Sequence, residues 1–146
     1  MNRRRFALAT GATAGLAAGP GCLGALGPAG LHLGGVVLVN RRSERVETQL
    51  RVTRDGSTVL DERHTLAAAD EGDGSGVFRN DAWADRIGVY EVRVDVASGP
   101  SEAFRYTRAH RDGTCTIARV GIREETVAFG SHRATAEAPC RPDGEP

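Results

Sequence analysis

The fold is decided by residues 46–56, which read VETQLRVTRDG. Apolar or small side chains alternate here with charged and polar ones, and this period of two is typical of a β-strand with one buried face and one solvated face. The Asp55-Gly56 pair that follows is the strongest short sequence signal for a hairpin turn. We therefore predict that residues 58–66, TVLDERHTL, return as the antiparallel partner strand.

The same period recurs through the rest of the chain, which shows no convincing amphipathic helix after its N-terminal segment. It is clearest in residues 89–96, where Tyr and Val alternate with charged residues. Turn signals recur about every ten residues, which is the signature of a sandwich. We predict an all-β fold over residues 36–130, an antiparallel β-sandwich of about seven to eight strands. The further strands are predicted at residues 36–39, 76–79, 101–107, 114–122 and 126–129.

One hydrophobic core between two sheets is expected from the apolar positions of these strands. Trp83 is the lone tryptophan of the chain, and we interpret it as part of this core rather than as a platform for a ligand. The predicted core consists of Val37, Val39, Leu50, Val52, Leu60, Trp83, Tyr90, Val92, Val94, Phe104, Ile117, Val120 and Ile122.

Composition and charge exclude one class of partner. The chain has 146 residues, 19 basic and 19 acidic side chains, no lysine, and 5 % aromatic residues. This length suits one ordinary domain. Proteins that bind nucleic acids usually carry a basic face and aromatic stacking platforms, so the balanced charge and the few aromatics predict no nucleic-acid partner.

The first 21 residues are predicted to be a twin-arginine-type signal peptide. Arg3 and Arg4 belong to a basic head that precedes any acidic residue, and Phe6 opens a short apolar run rich in Ala, Gly and Thr. That run is shorter than the roughly 20 residues that span a membrane as a helix. Residues 2–6, NRRRF, resemble the twin-arginine export motif. A disordered basic N-terminus on a cytosolic protein is the alternative.

Cys22 stands where such a signal would end, and we predict that it carries a lipid after cleavage. The residue before it, Gly21, is small, as it is in lipoprotein signals. Residues 22–35 would then form the lipidated cysteine and a Gly-rich tether that holds the protein at the extracytoplasmic face of the membrane. The alternative is cleavage further along, near Ala29, which would discard Cys22 and release the protein.

Cys115 and Cys140 remain as an even pair once the first cysteine is assigned to a lipid. Exported proteins form disulfides, so we predict a bridge between the two. It would pin the polar tail, residues 131–146, onto the strand that contains Cys115. The alternative for this pair is a metal site with His110 or His132.

No catalytic residue, metal site or cofactor is predicted. The histidines lack the short or helical spacing of zinc and copper sites, and no G-x-S-x-G motif occurs. Residues 70–76, DEGDGSG, have the composition of a calcium loop without its spacing, so a solvated loop is expected. Residues 41–45, RRSER, could contact anionic lipid headgroups, although a solvated turn is the preferred interpretation.

The chain as a whole resembles small haloarchaeal surface lipoproteins with an Ig-like domain. The resemblance is carried by the twin-arginine start, the cysteine at the signal end, the missing lysine, the Asp-Gly hairpin, the late cysteine pair and Trp83 before the strand Gly88-Val89-Tyr90-Glu91-Val92-Arg93-Val94. It implies an exported protein and an Ig-like fold, and it implies no reaction.

These observations together predict a non-enzymatic binding or structural module of the cell envelope, anchored in the membrane by a lipid and associated with an envelope protein that the sequence does not identify. The alternative is an accessory subunit of a membrane complex that binds a solute or a metal. Ig-like folds carry unrelated functions, so the ligand and the oligomeric state do not follow from the fold.

Overall fold

The structure, a computed structural model, describes residues 30–80, 83, 86–107 and 115–133. The predicted signal peptide, Cys22 with most of its tether, and the tail beyond residue 133 lie outside the described residues. Nine β-strands and one 3-10 helix, Ala69–Glu71, occur in the described ranges. The strands are β1 (Leu31–Asn40), β2 (Val46–Arg54), β3 (Ser57–Leu66), β4 (Gly76–Arg79), β5 (Ile87–Gly88), β6 (Tyr90–Val96), β7 (Ser101–Tyr106), β8 (Thr116–Ile122) and β9 (Val127–Arg133).

The strands form two sheets that pack face to face. Sheet I contains β4, β1, β8 and β9 in that order, with β5 beside the first residues of β1. Sheet II contains β3, β2, β6 and β7 in that order. Most neighbouring strands are antiparallel, so the predicted all-β sandwich is confirmed. One pair differs from the antiparallel prediction, because β1 and β8 run parallel over seven paired positions from Leu33 to Asn40.

The predicted hairpin is present and has the expected turn. Arg54 pairs with Ser57 across a loop of two residues, and both loop residues have positive φ angles, 50° at Asp55 and 86° at Gly56. Two positive φ angles define a type I′ turn, whose twist matches that of the flanking strands. The Asp55 side chain adds a second role, because its Oδ1 accepts a hydrogen bond from the Val89 N–H at 2.9 Å and so joins the turn to the chain before β6.

The inward face of β1 differs from the prediction. Val36 and Leu38 are fully buried, whereas Val37 and Val39 lie on the outward side and are only half-buried. The register of β1 against β8 shifts between Leu33 and Gly35, so one extra residue reverses the alternation that follows. Residues 36–39 read VVLV, and a run that is apolar in both phases does not reveal which phase faces inward.

Two predicted boundaries also differ from the strands. β1 begins at Leu31, five positions before the predicted start of the body, and Leu31 and Leu33 are buried. At the other end, β9 continues to Arg133, past the predicted start of the tail at residue 131. In both places a strand extends because its neighbours in sheet I, β5 and β8, offer free pairing positions.

The core lies between the sheets and includes Trp83, as predicted. Trp83 is 0 % exposed and belongs to the same buried cluster as Tyr90 and Tyr106. Phe104 is only partly buried, and its ring contacts those of Tyr106 and Phe129 at centroid distances of 4.9 and 5.8 Å. These rings fill the edge of the sandwich at which β7 and β9 meet.

Hydrogen bonds between the sheets close the same edge. The Tyr106 hydroxyl donates to the carbonyl oxygen of Gly130 at 2.8 Å, and Glu102 Oε2 accepts from the Val127 N–H at 2.7 Å. Burial raises the pKa of Tyr106 and also that of Tyr90, because it removes both phenols from water and so disfavours their charged form. These shifts follow from packing in the sandwich.

The hairpin turn generates the first prediction. Gly56→Ala should lower the free energy of unfolding by about 1 kcal/mol, because alanine is strained at a positive φ angle. Gly130→Ala is the matched control: a Cβ at either position has no atom within 4 Å, and only Gly56 has a positive φ angle. The control should be neutral or slightly stabilising. Urea unfolding of the full chain measures both, and equal stability of Gly56→Ala and the unchanged chain would contradict the turn.

Candidate functional site

The structure describes only part of the predicted site residues. Arg3, Arg4, Phe6, Cys22 and Cys140 lie outside the described residues. The remaining one, Cys115, directly precedes β8 and is 6 % exposed. The signal peptide, the lipid anchor and the disulfide therefore stay predictions.

The described histidines lie apart from one another. His32 is on β1 and His132 is on β9, whereas His64 is on β3, where its Nε2 lies 3.2 Å from Glu62 Oε2. Glu62 Oε1 also lies 2.6 Å from Arg79 Nη2, so this acid joins the edge strands β3 and β4. In the described ranges, no group of three or more His, Cys, Asp or Glu side chains could hold a metal ion. His110 lies outside these ranges.

The two sheets differ sharply in charge. The strands of sheet I contain three arginines, Arg79, Arg119 and Arg133, and no Asp or Glu. The strands of sheet II contain both signs: Glu47, Asp61, Glu62, Glu91, Asp95 and Glu102 together with Arg51, Arg54, Arg63, Arg93 and Arg105.

Oppositely charged groups pair on the outward side of sheet II. Arg51 Nη2 lies 3.0 Å from Asp61 Oδ2, and Arg93 Nη2 lies 3.7 Å from Glu91 Oε1. A hydrogen bond from Gln49 lowers the pKa of Asp61, and Arg51 lowers it further, which keeps the carboxylate ionised. Mixed charges of this kind, some of them paired, are typical of an ordinary solvated sheet surface.

The outward side of sheet I, which we name the sheet I face, is largely apolar. Strand pairing sets its side chains in two rows that cross β4, β1, β8 and β9. Small residues leave an open depression of about 250 Å³ between the rows and the strand ends. The first row is Phe78, Val37, Arg119 and Gly130, and the second is Gly76, Val39, Gly121 and Ala128.

Three arginines surround this depression. Arg119 projects from the first row, and Arg41 and Arg123 follow the last residues of β1 and β8. All three are exposed, and none forms an ion pair with another residue of the described part of the chain. Arg41 lies across the backbone of Gly121, because a Cβ at that glycine would be 3.3 Å from Arg41 Nε.

Two large apolar side chains are exposed on the same side of the sandwich. Phe78 is 43 % exposed, and its ring lies over Gly35, whose Cβ would come within 2.5 Å of it. Ile87 is 60 % exposed and pairs with His32, which alternates with the buried Leu31 and Leu33. Directly opposite residues of an antiparallel pair share a face, so Ile87 points outward from sheet I like His32. The sheet I face thus combines exposed apolar groups with unpaired cations.

The buried amide of Asn40 fixes the end of the face that carries Arg41. Asn40 is 0 % exposed, and its Nδ2 donates to the carbonyl oxygens of Glu44 and Ala67, both at 2.8 Å. Its Oδ1 accepts from the Arg42 N–H at 2.9 Å. The same side chain therefore shapes the β1–β2 turn and holds it to the loop after β3. The Arg41 N–H donates to the Ile122 carbonyl at 2.9 Å, which keeps this residue beside β8.

Sequence reasoning identified only one part of this face. Residues 41–45 were predicted as a basic turn, and Arg41 does lie at the edge of the depression. Phe78, Arg119 and the outward valines were missed, because the face is assembled from strands distant in sequence. One signal was present in the sequence: the segments that become sheet I contain no acidic residue.

Comparisons of the chain with protein-family models, with curated proteins and with solved structures find no match. Within the described ranges, no helix is long and apolar enough to cross a membrane. The arrangement of the sheet I face itself therefore carries the functional argument. Exposed guanidinium groups bind phosphate and carboxylate oxygens, and the apolar rows beside them favour a partner that also has an apolar part.

The Asn40 hydrogen bonds generate the second prediction. Asn40→Ala should lower the free energy of unfolding by about 2 kcal/mol, because two carbonyls and one N–H lose their partner in a buried site. Ser43→Ala, at an exposed position of the same turn, is the control and should leave stability unchanged. Urea unfolding of the full chain compares the two variants, and matching midpoints would show that Asn40 does not hold the turn.

Proposed function

We propose that this protein is an exported lipoprotein of the cell envelope that acts as a non-enzymatic binding or structural module. The sequence supports export through the basic head with Arg3 and Arg4, and it supports anchoring through Cys22. The sandwich then serves as a rigid body that presents one binding surface at the extracytoplasmic side of the membrane.

The single observation that carries the binding role is the asymmetry of the two outward sides. Sheet II mixes acids with arginines and pairs two of those arginines, whereas the strands of sheet I contain no acid. The sheet I face leaves Arg41, Arg119 and Arg123 without ion pairs within the described residues, and Phe78 and Ile87 are exposed there. Solvated sheet surfaces normally alternate apolar-in and polar-out, so an outward apolar surface with free cations indicates contact with a partner. The partner that fits is anionic and partly apolar.

The distance between anchor and domain is compatible with a role close to the membrane. β1 begins at Leu31, nine positions after Cys22. Nine residues reach at most about 30 Å when fully extended. A lipid on Cys22 would therefore keep the sandwich within about one domain diameter of the bilayer.

The disulfide between Cys115 and Cys140 is part of the proposal. Cys115 is buried at the start of β8, beside the end of β9, where the described chain reaches Arg133. A bridge to Cys140 would hold the tail beside β8 and β9. It would stabilise the fold by about 3.5 kcal/mol for a loop of this length in the chain-entropy description.

The anchor generates the third prediction. Cys22→Ser should prevent lipid attachment, so the protein should leave the membrane fraction when salt of about 1 M screens weaker electrostatic contacts. The unchanged chain should stay with the membrane under the same wash. The measurement is the share of protein in the washed membrane pellet.

Replacing Arg3 and Arg4 by lysine is the control for export, and this variant should accumulate in the cytoplasm in unprocessed form. A Cys22→Ser chain that resists the salt wash as firmly as the unchanged chain would contradict the anchor. Metal bound in stoichiometric amount after dialysis would instead support the alternative, an accessory subunit that binds a metal or solute.

The disulfide generates the fourth prediction. Alkylation of the unreduced, unfolded protein should leave Cys115 and Cys140 unmodified, and mass analysis of peptides should find them linked. Reduction before alkylation is the control and should expose both thiols. Two alkylated cysteines in the unreduced sample would contradict the bridge.

A further inference from the structure

We propose that the sheet I face lies directly on a bilayer surface that carries anionic lipid phosphates. The inference rests on the proposed function only for the location of the protein at a membrane. It adds a second contact with the bilayer, made by folded residues of the sandwich and independent of the lipid on Cys22.

The charge of sheet I is the first support. No acidic side chain occurs in its five strands, so an anionic surface placed against the face meets no repulsive residue from them. Among the described residues, the acids nearest in sequence are Glu124 and Glu125, in the turn between β8 and β9; Asp81 and Asp85 are equally near in sequence and lie outside the described residues. Glu124 Oε2 lies 3.5 Å from Arg42 Nε and is partly neutralised there.

The three free arginines are the second support. Arg41, Arg119 and Arg123 surround the depression from β1, β8 and the end of β8, and each guanidinium can donate to two phosphate oxygens at once. The arginines Arg51 and Arg93 of sheet II are already held by Asp61 and Glu91. The sheet I face therefore offers three cations around one depression that lose no internal ion pair on binding.

The exposed apolar side chains are the third support. Phe78 and Ile87 are the large hydrophobic side chains that remain exposed in the described residues, and both point outward from sheet I. Apolar groups next to cations suit the boundary between headgroups and acyl chains, where the rings and aliphatic groups insert and the arginines stay at phosphate level. A soluble anion would use the arginines and leave Phe78 and Ile87 in water.

The shape of the face favours a surface over a small ligand. The depression is open to solvent, and the rows beside it cross four strands, a width of roughly 15 Å at the usual strand spacing of about 4.8 Å. Leu31 and Arg41 stand at opposite ends of β1, so a sandwich lying flat would bring the tether and the arginines to the same plane. Lipid attachment and face contact are therefore geometrically compatible.

The test uses the full chain without its lipid. Every sample carries Cys22→Ser, and Arg3, Arg4 and Arg5 are replaced by glutamine so that the basic head does not bind lipid by itself. Co-sedimentation then measures the affinity for vesicles of phosphatidylcholine alone and for vesicles of equal parts phosphatidylcholine and phosphatidylglycerol.

The decisive variant is Arg41→Gln/Arg119→Gln/Arg123→Gln. It should lower the affinity for the phosphatidylglycerol vesicles about 100-fold, because each arginine near an anionic surface contributes about a factor of five. The matched control is Arg51→Gln/Arg63→Gln/Arg105→Gln on sheet II, which changes the net charge equally and should lower the affinity less than fivefold. Circular dichroism and urea midpoints establish that both triple variants are folded.

A second variant tests the apolar contact. Phe78→Ser/Ile87→Ser should weaken binding to the same vesicles in both low and high salt, whereas the loss from the arginine variant should fade as salt rises. Equal affinity for both vesicle types, or equal losses from the two triple variants, would overturn the proposal. The chain could instead fail to bind vesicles and self-associate in a way that requires the three arginines. That result would overturn the proposal and identify the partner of the face as a second copy of the chain.

Failure of this proposal and failure of the lipid anchor are separate results. The vesicle experiment contains no lipidated protein, so it reports on the sheet I face alone. The salt-washed membrane fraction reports on Cys22 alone when the chains compared also carry Phe78→Ser/Ile87→Ser, because high salt screens the arginine contacts and the two serines remove the apolar one. One possible result is that the unlipidated chain does not bind anionic vesicles while salt-resistant anchoring still requires Cys22. This result would overturn the proposed contact of the sheet I face and leave the lipid anchor standing.

Discussion

One extra residue in β1 determines both the core and the outward surface of this protein. The register shift between Leu33 and Gly35 allows Leu31 and Leu33 to face inward before it and Val36 and Leu38 to face inward after it. The same shift turns Val37 and Val39 outward. Without the shift, a strand in strict alternation that buried Leu31 and Leu33 would expose Val36 and Leu38. The parallel pairing of β1 with β8 fixes this phase, because it sets Val37 beside Arg119.

The last residue of β1, Asn40, fixes the turn that follows this strand. A buried amide must satisfy its donors and its acceptor, and Asn40 does so with Glu44, Ala67 and the Arg42 N–H. This requirement fixes the turn after β1, and with it the position of Arg41 over Gly121. The arginine of the candidate surface is therefore placed by a hydrogen-bond constraint in the interior, and the glycine opposite leaves room for it.

The parts of the fold that could be predicted are those in which local sequence decides alone. The Asp55-Gly56 turn needs two positive φ angles, and alternating strands such as β2 and β6 show which side is buried. Residues 36–39 are apolar in both phases, so the face of β1 depends on its neighbours. The sheet I face as a whole could not be predicted, because its rows join residues that are distant in sequence: Val37 and Gly130 of the first row are 93 positions apart. The sequence showed only the basic turn at residues 41–45 and the lack of acidic residues in these segments.

The formal net charge of zero conceals an uneven distribution of charge between the two sheets. Charges of both signs are interleaved on sheet II, where Arg51 and Arg93 each pair with an acid, and pairing there costs little because solvent remains close. Sheet I carries arginines alone, next to valines and a phenylalanine that remain partly in water. Balanced charge lowers long-range attraction to any polyanion, so contact through this face must be short-ranged and must draw on its apolar rows as well as its cations. A surface with both cations and apolar groups suits a membrane interface rich in anionic headgroups, which offers phosphates and acyl chains together. It suits nucleic acid less well, because the backbone of nucleic acid offers phosphates without such an apolar layer.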